Sequence, residues 1–358
     1  MSLRQFQVQQ QSSGAVFEHP EENYPLASHF GSPEKEYQAA RKSAAVFDLS
    51  NRDQIELSGT DRLKFLHNFC TNDIKGLQPN QGCEAFVTNV QSRILGHINA
   101  FHHGDSIWID TAAGQAEEIT RHLERYIILE DAHLLVRTQE FGSLYLSGPD
   151  ATDILKQLDL EVEGLEEFHQ LSVSNSDARL TVRRVDWFGQ PGYLCSLQYV
   201  KIGEFWNRLI ESGAVPAGQQ VFDALRIESL YPIYGVDLSD ANLAQEASRT
   251  AQSISFKKGC YLGQEPIARI DSLGHVNKEI RSIGLEGAWV PPAGAKVMFA
   301  GDDGPEEAGT ITSAARSFGK YPVVAMTVLR KSANAPGTEV EVVADDQSAT
   351  GTVFTERN

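Results

Sequence analysis

The sequence predicts an α+β protein: two related α/β lobes from an internal duplication, followed by a small antiparallel β-barrel. Leu57-Ser58-Gly59-Thr60-Asp61 and Leu146-Ser147-Gly148-Pro149-Asp150 are the same strand-to-helix signal. The order downstream of each copy is also matched. Strand-like runs at 83–90, 94–102 and 106–110 and a helix at 115–126 follow the first copy. Runs at 170–173, 178–186 and 192–197 and a helix at 202–212 follow the second. From about Asn277 the texture changes to short alternating runs separated by Gly, Pro, Asn and Asp, the signature of a small closed barrel. The expected divisions are a Gln-rich segment at 1–20, loose or laid over the surface, a first lobe at 21–140, a second at 141–276 and the barrel at 277–358.

In chain order, a short helix around Ser32–Lys42 leads into Ala44–Ser50 and a strand near Gln54–Leu57. Leu63, Leu66, Phe69 and Cys70 then recur at helical spacing, with Ser58 or Thr60 able to cap that helix. Ile154, Leu155 and Leu158 repeat the pattern in the second copy, and Phe222–Glu228 reads as a further helix.

Composition narrows the function classes. The 358 residues are 41% hydrophobic and 22% charged, as in ordinary globular proteins. A formal net charge of -17 repels polyanions, so no nucleic-acid partner is expected, and an anionic ligand needs a local basic pocket. The four cysteines, at 70, 83, 195 and 260, form no Cys-x-x-Cys pair, so no metal-ligating framework is predicted and reduced thiols are. The first residues lack the apolar core of a signal peptide, and no apolar run reaches the roughly 18 residues of a membrane span. These features predict a soluble, cytoplasmic chain without a membrane partner, and nothing in the sequence signals an assembly beyond a monomer.

Ser255–Ile270, SFKKGCYLGQEPIARI, is the most unusual stretch. Gly259 and Gly263 bracket Cys260-Tyr261-Leu262, permitting a sharp turn, and Pro266 suits the first turn of a following helix. A thiol there, beside Lys257 and Lys258, sits in a positive field that favours the thiolate, the form that attacks electrophiles, binds metal or oxidises. Against that, a single cysteine is more often a small buried hydrophobe, and the glycines can serve a purely structural turn.

Lys258-Gly259-Cys260-Tyr261-x-Gly263-Gln264-Glu265 resembles the signature of the YgfZ-type folate-binding proteins, which share a superfamily with the glycine-cleavage T-protein, an aminomethyltransferase. The resemblance runs from about Ala44 to Phe354. Asp73, Pro79–Gly82, Leu225-Arg226-x-Glu228, Tyr234-Gly235-x-Asp237 and Ala308–Ser313 follow the T-protein layout in order. It implies a T-protein-like fold, tetrahydrofolate or a related reduced folate as cofactor, and iron–sulfur client proteins as partners, through maturation or repair.

Two departures separate the branches. T-proteins carry an Asp-Asp pair on the strand after the glycine turn, where a carboxylate can take up a proton near the folate nitrogen; here Gly96 and His97 stand there. His97 can act as a base, or be a half-buried strand histidine. T-proteins also hold the pterin through a Glu in a Gly-Tyr-Thr-Gly-Glu-x-Gly-Tyr-Glu pattern. Asp186–Tyr193 occupies that place, with Gln190 at the Glu position; an amide offers one donor and one acceptor where a carboxylate offers two acceptors. Asp186 can supply the carboxylate instead. Trp187, Phe188 and Tyr193 can stack on a ring or belong to the core. Arg184, Arg226, Arg249 and Arg269 can grip the folate's carboxylate tail or serve in ion pairs.

The leading expectation is therefore a folate-binding, YgfZ-like protein with a pocket between the lobes. Cys260 stands exposed at its edge, its acidity tuned by Lys258 or Glu265. Asp186 and His97 are the other candidate catalytic groups. The alternatives are a folate-dependent aminomethyltransferase and a non-catalytic scaffold for partner proteins.

Overall fold

The computed structural model describes residues 3–18, 20, 24–174, 179–301 and 304–355, so residue 178 of a predicted strand falls outside it. The chain opens with helices α1 (Leu3–Ser12) and α2 (Pro33–Lys42) and strand β1 (Ala45–Asp48). Of the two expectations for the amino-terminal segment, loose or laid over the surface, Leu3–Ser12 shows the second. In α1, Phe6 is fully buried with its ring edge-on to Trp206 at 5.7 Å, and the buried Gln10 donates to Asp48 at 3.0 Å. One aromatic buried against the second lobe outweighs the polar composition.

The first lobe comprises β2 (Asp53–Ser58), α3 (Arg62–Phe69), β3 (Gly82–Thr88), β4 (Ile94–His103), β5 (Ser106–Thr111), α4 (Ala116–Glu124) and β6 (His133–Val136). The second repeats the order with β7 (Phe141–Ser147), α5 (Ala151–Gln157), β8 (Gln170–Ser174), β9 (Arg179–Arg184), β10 (Gly192–Gln198), α6 (Ile202–Glu211) and β11 (Val215–Ala217). Their sheets run β3-β4-β5-β2-β6 and β8-β9-β10-β7-β1-β11, the same meander with one difference. Strand β1 inserts between β7 and β11, so residues 45–48 complete the second sheet although they precede the first.

The glycine of each repeat is needed physically. Gly59 has φ +101° and a Cβ there would lie 2.1 Å from the Asp131 carbonyl oxygen; Gly148 has φ +139° and would meet the Ser43 oxygen at 2.3 Å. Neither Ser58 nor Thr60 caps α3. Asp61 is the N-cap, without a side-chain cap bond, and the Thr60 hydroxyl donates to Asp131 at 2.8 Å instead.

Helices α7 (Gln219–Glu228), α8 (Thr250–Ser253) and α9 (Gln264–Leu273) link the lobes to the barrel. The barrel closes six strands in the order β12-β15-β14-β13-β16-β17. These are β12 (Lys278–Leu285), β13 (Lys296–Gly301), β14 (Gly304–Arg316), β15 (Val323–Arg330), β16 (Glu339–Ala344) and β17 (Gln347–Phe354). Alternate residues fill it, among them Ile283, Leu285, Val297, Ile311 and Val342. The predicted fold, with its carboxy-terminal barrel, is the observed one.

Strand alternation also sets up the interior. Ile55, Leu57, Ala85, Val87, Ile98 and Ile109 pack beneath α3 and α4. Val46, Leu144, Leu146 and Cys195 do the same beneath α5 and α6. The opposite faces of the two sheets meet each other, and there the first sheet presents Gln54, Glu84, His97, Asn99 and Asp110.

Candidate functional site

Polar side chains between the sheets bind mainly one another. Arg52 forks onto Asp110, with Nη2 at 2.6 Å and Nε at 3.1 Å; Gln54 (2.7 Å) and Asn99 (3.3 Å) donate to the same carboxylate. Arg249 makes the equivalent bidentate pair with Glu84, whose Oε1 also meets His97 Nε2 at 2.9 Å. Burial alone would raise the pKa of Glu84, but the Arg249 charge and the hydrogen bonds from Arg249 and His97 win and hold it well below the usual carboxylate range. Aromatic rings connect the two pairs. The Arg52 guanidinium lies over Trp187 at 4.7 Å, Trp187 stacks on Tyr231 at 5.1 Å, and Arg249 lies over Tyr231 at 5.5 Å.

Arg183 differs from these. It is buried between Phe101 and Trp108, donates to Gln54 at 3.1 Å, and has no ion pair among the described residues. Burial pushes its guanidinium down to about 10, with Asp110 pulling the other way. Its Nε, the Trp187 indole N–H and Asn99 Oδ1 find no partner among the described residues.

A cavity of about 690 Å3 opens where the β1–β2 connection, the end of β5, α7, the 233–236 turn and β14 meet. Asn51, Arg52, Phe222, Asp223, Tyr234 and Arg316 are its chemically useful walls. Asn51 Oδ1 is buried there without a partner among the described residues. The Asp223 carboxylate accepts one bond on each oxygen, from Arg226 Nε at 2.5 Å and Gln219 Nε2 at 3.1 Å, leaving lone pairs for a ligand.

The Lys258–Gly263 turn is pinned to the first lobe at Lys258, Leu262 and Gly263. The Lys258 ammonium is buried and donates to the carbonyls of His67 (2.5 Å), Cys70 (2.8 Å) and Asn72 (2.8 Å). These include acceptors at the carboxy end of α3, where the helix leaves carbonyls unsatisfied. The Lys258 ammonium also lies 4.6 Å from the Tyr261 ring centroid. Leu262 N–H donates to Asn68 O (2.8 Å), Thr88 Oγ1 to Leu262 O (2.9 Å) and Ser92 Oγ to Gly263 O (2.6 Å). Gly263 has φ +83°, and a Cβ there would strike the Asn89 carbonyl oxygen at 2.4 Å. Cys260 is exposed at the apex, while Cys70 and Cys195 are buried and Cys83 is half-covered.

The predicted residues fall into separate groups. His97, Trp187 and Arg249 converge on Tyr231 between the sheets. Arg184, Asp186 and Gln190 lie on or beside the β9–β10 turn. Asp186 pairs with Arg184 at 3.1 Å and caps Gly192 N–H at 3.1 Å, while Gln190 donates to Ala40 O at 2.6 Å. Tyr193 points to the opposite face of its sheet, its hydroxyl 2.8 Å from Thr152, so it cannot join Trp187 around one ring. Arg226 bridges Asp223 and Asp237, and Arg269 is exposed on α9. None of the seven predicted folate contacts, and not Cys260, lines the large cavity. Lys258 is an anchor rather than a tuner of Cys260: its ammonium faces Cys70 and Cys83. Glu265 is exposed. Among the described residues no group of His, Cys, Asp or Glu is placed to hold a metal ion.

Sequence reasoning missed Arg52, Gln54, Glu84, Asp110, Arg183 and Asp223. The signal was present for Gln54, Glu84 and Asp110, polar residues inside otherwise apolar strands, where a polar group must find a partner. For Arg52 and Asp223 no local pattern marks the cavity.

Residues 6–254 match the family model described as the GCVT N-terminal domain. The chain belongs to the GCVT family. Over 285 residues this GCVT-family chain is 27% identical to an aminomethyltransferase of Rubrobacter xylanophilus, covering 79% of this chain and 75% of that one. It is 26% identical over 321 residues to an aminomethyltransferase of Herpetosiphon aurantiacus, covering 89% and 87%. In structure it resembles the glycine cleavage system aminomethyltransferase T of Bartonella henselae, with a TM-score of 0.85 and 19% identity over 96% of this chain and 94% of the other. That likeness establishes the shared T-protein fold. Among the described residues no helix is long and apolar enough to cross a membrane.

Proposed function

We propose that this chain binds tetrahydrofolate in the cavity beside Asp223 and presents Cys260 as a working thiol, a YgfZ-like role rather than aminomethyl transfer. Aminomethyltransferases, the family's named members, use tetrahydrofolate. The cavity fits such a ligand in size, since small-molecule sites span roughly 300–1,000 Å3. Its walls fit as well. Asp223 can accept from the pterin N–H groups, Asn51 Oδ1 needs a donor, Phe222 and Tyr234 supply rings, and Arg316 stands exposed for a carboxylate tail. When bound, a reduced folate supplies ring nitrogens that carry one-carbon groups.

The observation that carries the YgfZ-like reading is the Cys260 turn. A thiol held at the exposed apex of a clamped turn is available to an electrophile or a partner. A role in maintaining iron–sulfur proteins rests on the resemblance of the KGCYLGQE motif alone. Aminomethyl transfer is the second reading, favoured by the names of the relatives. Between the sheets Glu84 and Asp110 are both bound by arginine, which leaves the His97–Glu84 pair as the proton-moving group there.

Calorimetry with tetrahydrofolate and 5-formyltetrahydrofolate tests the site. Asp223→Ala removes a charge-assisted acceptor worth about 1.5–3 kcal/mol and weakens binding roughly 10- to 100-fold. Gln190→Ala leaves binding unchanged. Equal binding by all three proteins removes the site. Cys260→Ser retains folate binding and loses support of iron–sulfur enzyme activity in cells. Ammonia release from an aminomethylated lipoyl carrier, dependent on tetrahydrofolate, would establish the second reading instead.

A further inference from the structure

A second cleft, of about 550 Å3, lies between the β3–β4 connection, the 241–246 segment and one end of the barrel. Arg93, Lys278, Arg330 and Lys331 line it, against one lining carboxylate, Glu246. The cations come from separate places. Arg93 precedes β4, Lys278 and Arg330 sit directly opposite each other on β12 and β15, and Lys331 begins the turn after β15. Two backbone ties hold them there. Arg93 Nη1 donates to the Ala241 carbonyl, and Lys331 N–H donates to Asn277 O at 2.9 Å. Glu246 is partly spent, accepting from Leu243 N–H at 3.1 Å and standing 3.7 Å from Lys278 Nζ. Arg330 and Lys331 are exposed and have no ion pair among the described residues. On a chain of net charge -17, four cations around one cleft stand together against their own repulsion and against the sign of the surface.

We propose that this cleft binds a short chain of carboxylates, such as linked glutamates, at a site separate from the cavity between the lobes. The cleft is far larger than one oxyanion needs, and its cations are spread from the first lobe to the barrel, so the matching charges must be spaced along a chain. Two of the four are ammonium groups, point charges on flexible stems, which tolerate carboxylates at variable spacing better than a rigid fork does. A γ-linked chain would arrive on a folate and an α-linked chain on a peptide; the recognising chemistry is the same.

Calorimetry on the full chain, with γ-triglutamate, α-triglutamate and inorganic pyrophosphate as probes, decides it. At least one triglutamate binds the wild type, and the affinity falls as salt is raised because the cations are exposed. The double variant Arg330→Glu/Lys331→Glu binds it weaker by roughly tenfold or more, and Arg330→Lys/Lys331→Arg binds within about twofold of wild type. A γ preference identifies a folate tail as the source and an α preference a peptide; either supports the site. The proposal is overturned if neither triglutamate binds, if charge reversal leaves the affinity unchanged, or if pyrophosphate binds tighter than both. Both substituted side chains are exposed, so unchanged melting curves show that lost binding is not lost folding, and tetrahydrofolate titration of the same variants reads the other cavity independently.

Discussion

The space between the sheets and the Lys258–Gly263 turn use polar residues in opposite ways. Between the sheets, charges are spent on each other: Arg52 on Asp110, Arg249 on Glu84, His97 on Glu84. In the turn, the polar bonds hold the frame, from Lys258 and Leu262 to Gly263, while the Cys260 thiol is left exposed. The difference teaches where chemistry can happen. A side chain whose charge is spent on a buried partner has less capacity left for a ligand, whereas a clamp that stops short of its apex offers a group already held in place.

The sharpest way to break this contrast is to remove one half of an interior pair. Glu84→Ala strands the Arg249 guanidinium in the interior and lowers stability by about 3–5 kcal/mol, measured by urea denaturation. The same pair fixes an acid limit. Because the folded-state value of Glu84 lies below its ordinary 4.5, its contribution is full above pH 4.5 and is lost as the pH falls below that, steepening acid unfolding. In Glu84→Gln that part of the acid dependence disappears.

The turn responds differently. Lys258→Met leaves three carbonyls without their ammonium and costs about 1–3 kcal/mol. Its distinctive signature is local: hydrogen exchange rises at the Leu262 and Gln264 amides while the barrel strands keep their protection. Uniform loss of protection would make Lys258 part of the general core instead.

The smallest effect tests the exception to the pairing rule. Arg183 is buried with one amide acceptor and no ion pair among the described residues, so Arg183→Met leaves stability unchanged or raises it by about 1 kcal/mol. A large loss would show that its position over Phe101 and Trp108 matters more than its desolvation.

The same contrast explains how much could be read from the sequence. The duplication was legible because both repeats need a glycine at positive φ against a neighbouring backbone. The barrel was legible from alternation and turn residues. The insertion of β1 into the second sheet was not, since Ala45–Asp48 is as apolar as a strand of either lobe. The Cys260 turn was legible as unusual because glycines and lysines crowd a short stretch, and the structure shows Gly263 and Lys258 fastening it to the first lobe. The folate contacts were not legible. Gln190, Arg226 and Arg249 have suitable chemistry, and only three-dimensional pairing shows that Ala40, Asp237 and Glu84 already occupy them.

Competitive alkylation tests the central contrast most directly. Native protein is treated with limiting iodoacetamide and each cysteine is quantified by mass spectrometry, with Lys258→Met as the comparison. The account predicts that Cys260 is modified well ahead of Cys70, Cys83 and Cys195, and that loosening the clamp raises labelling of Cys70, which burial holds in its unreactive thiol form. Modification of Cys260 no faster than that of the buried cysteines in the wild type would contradict it.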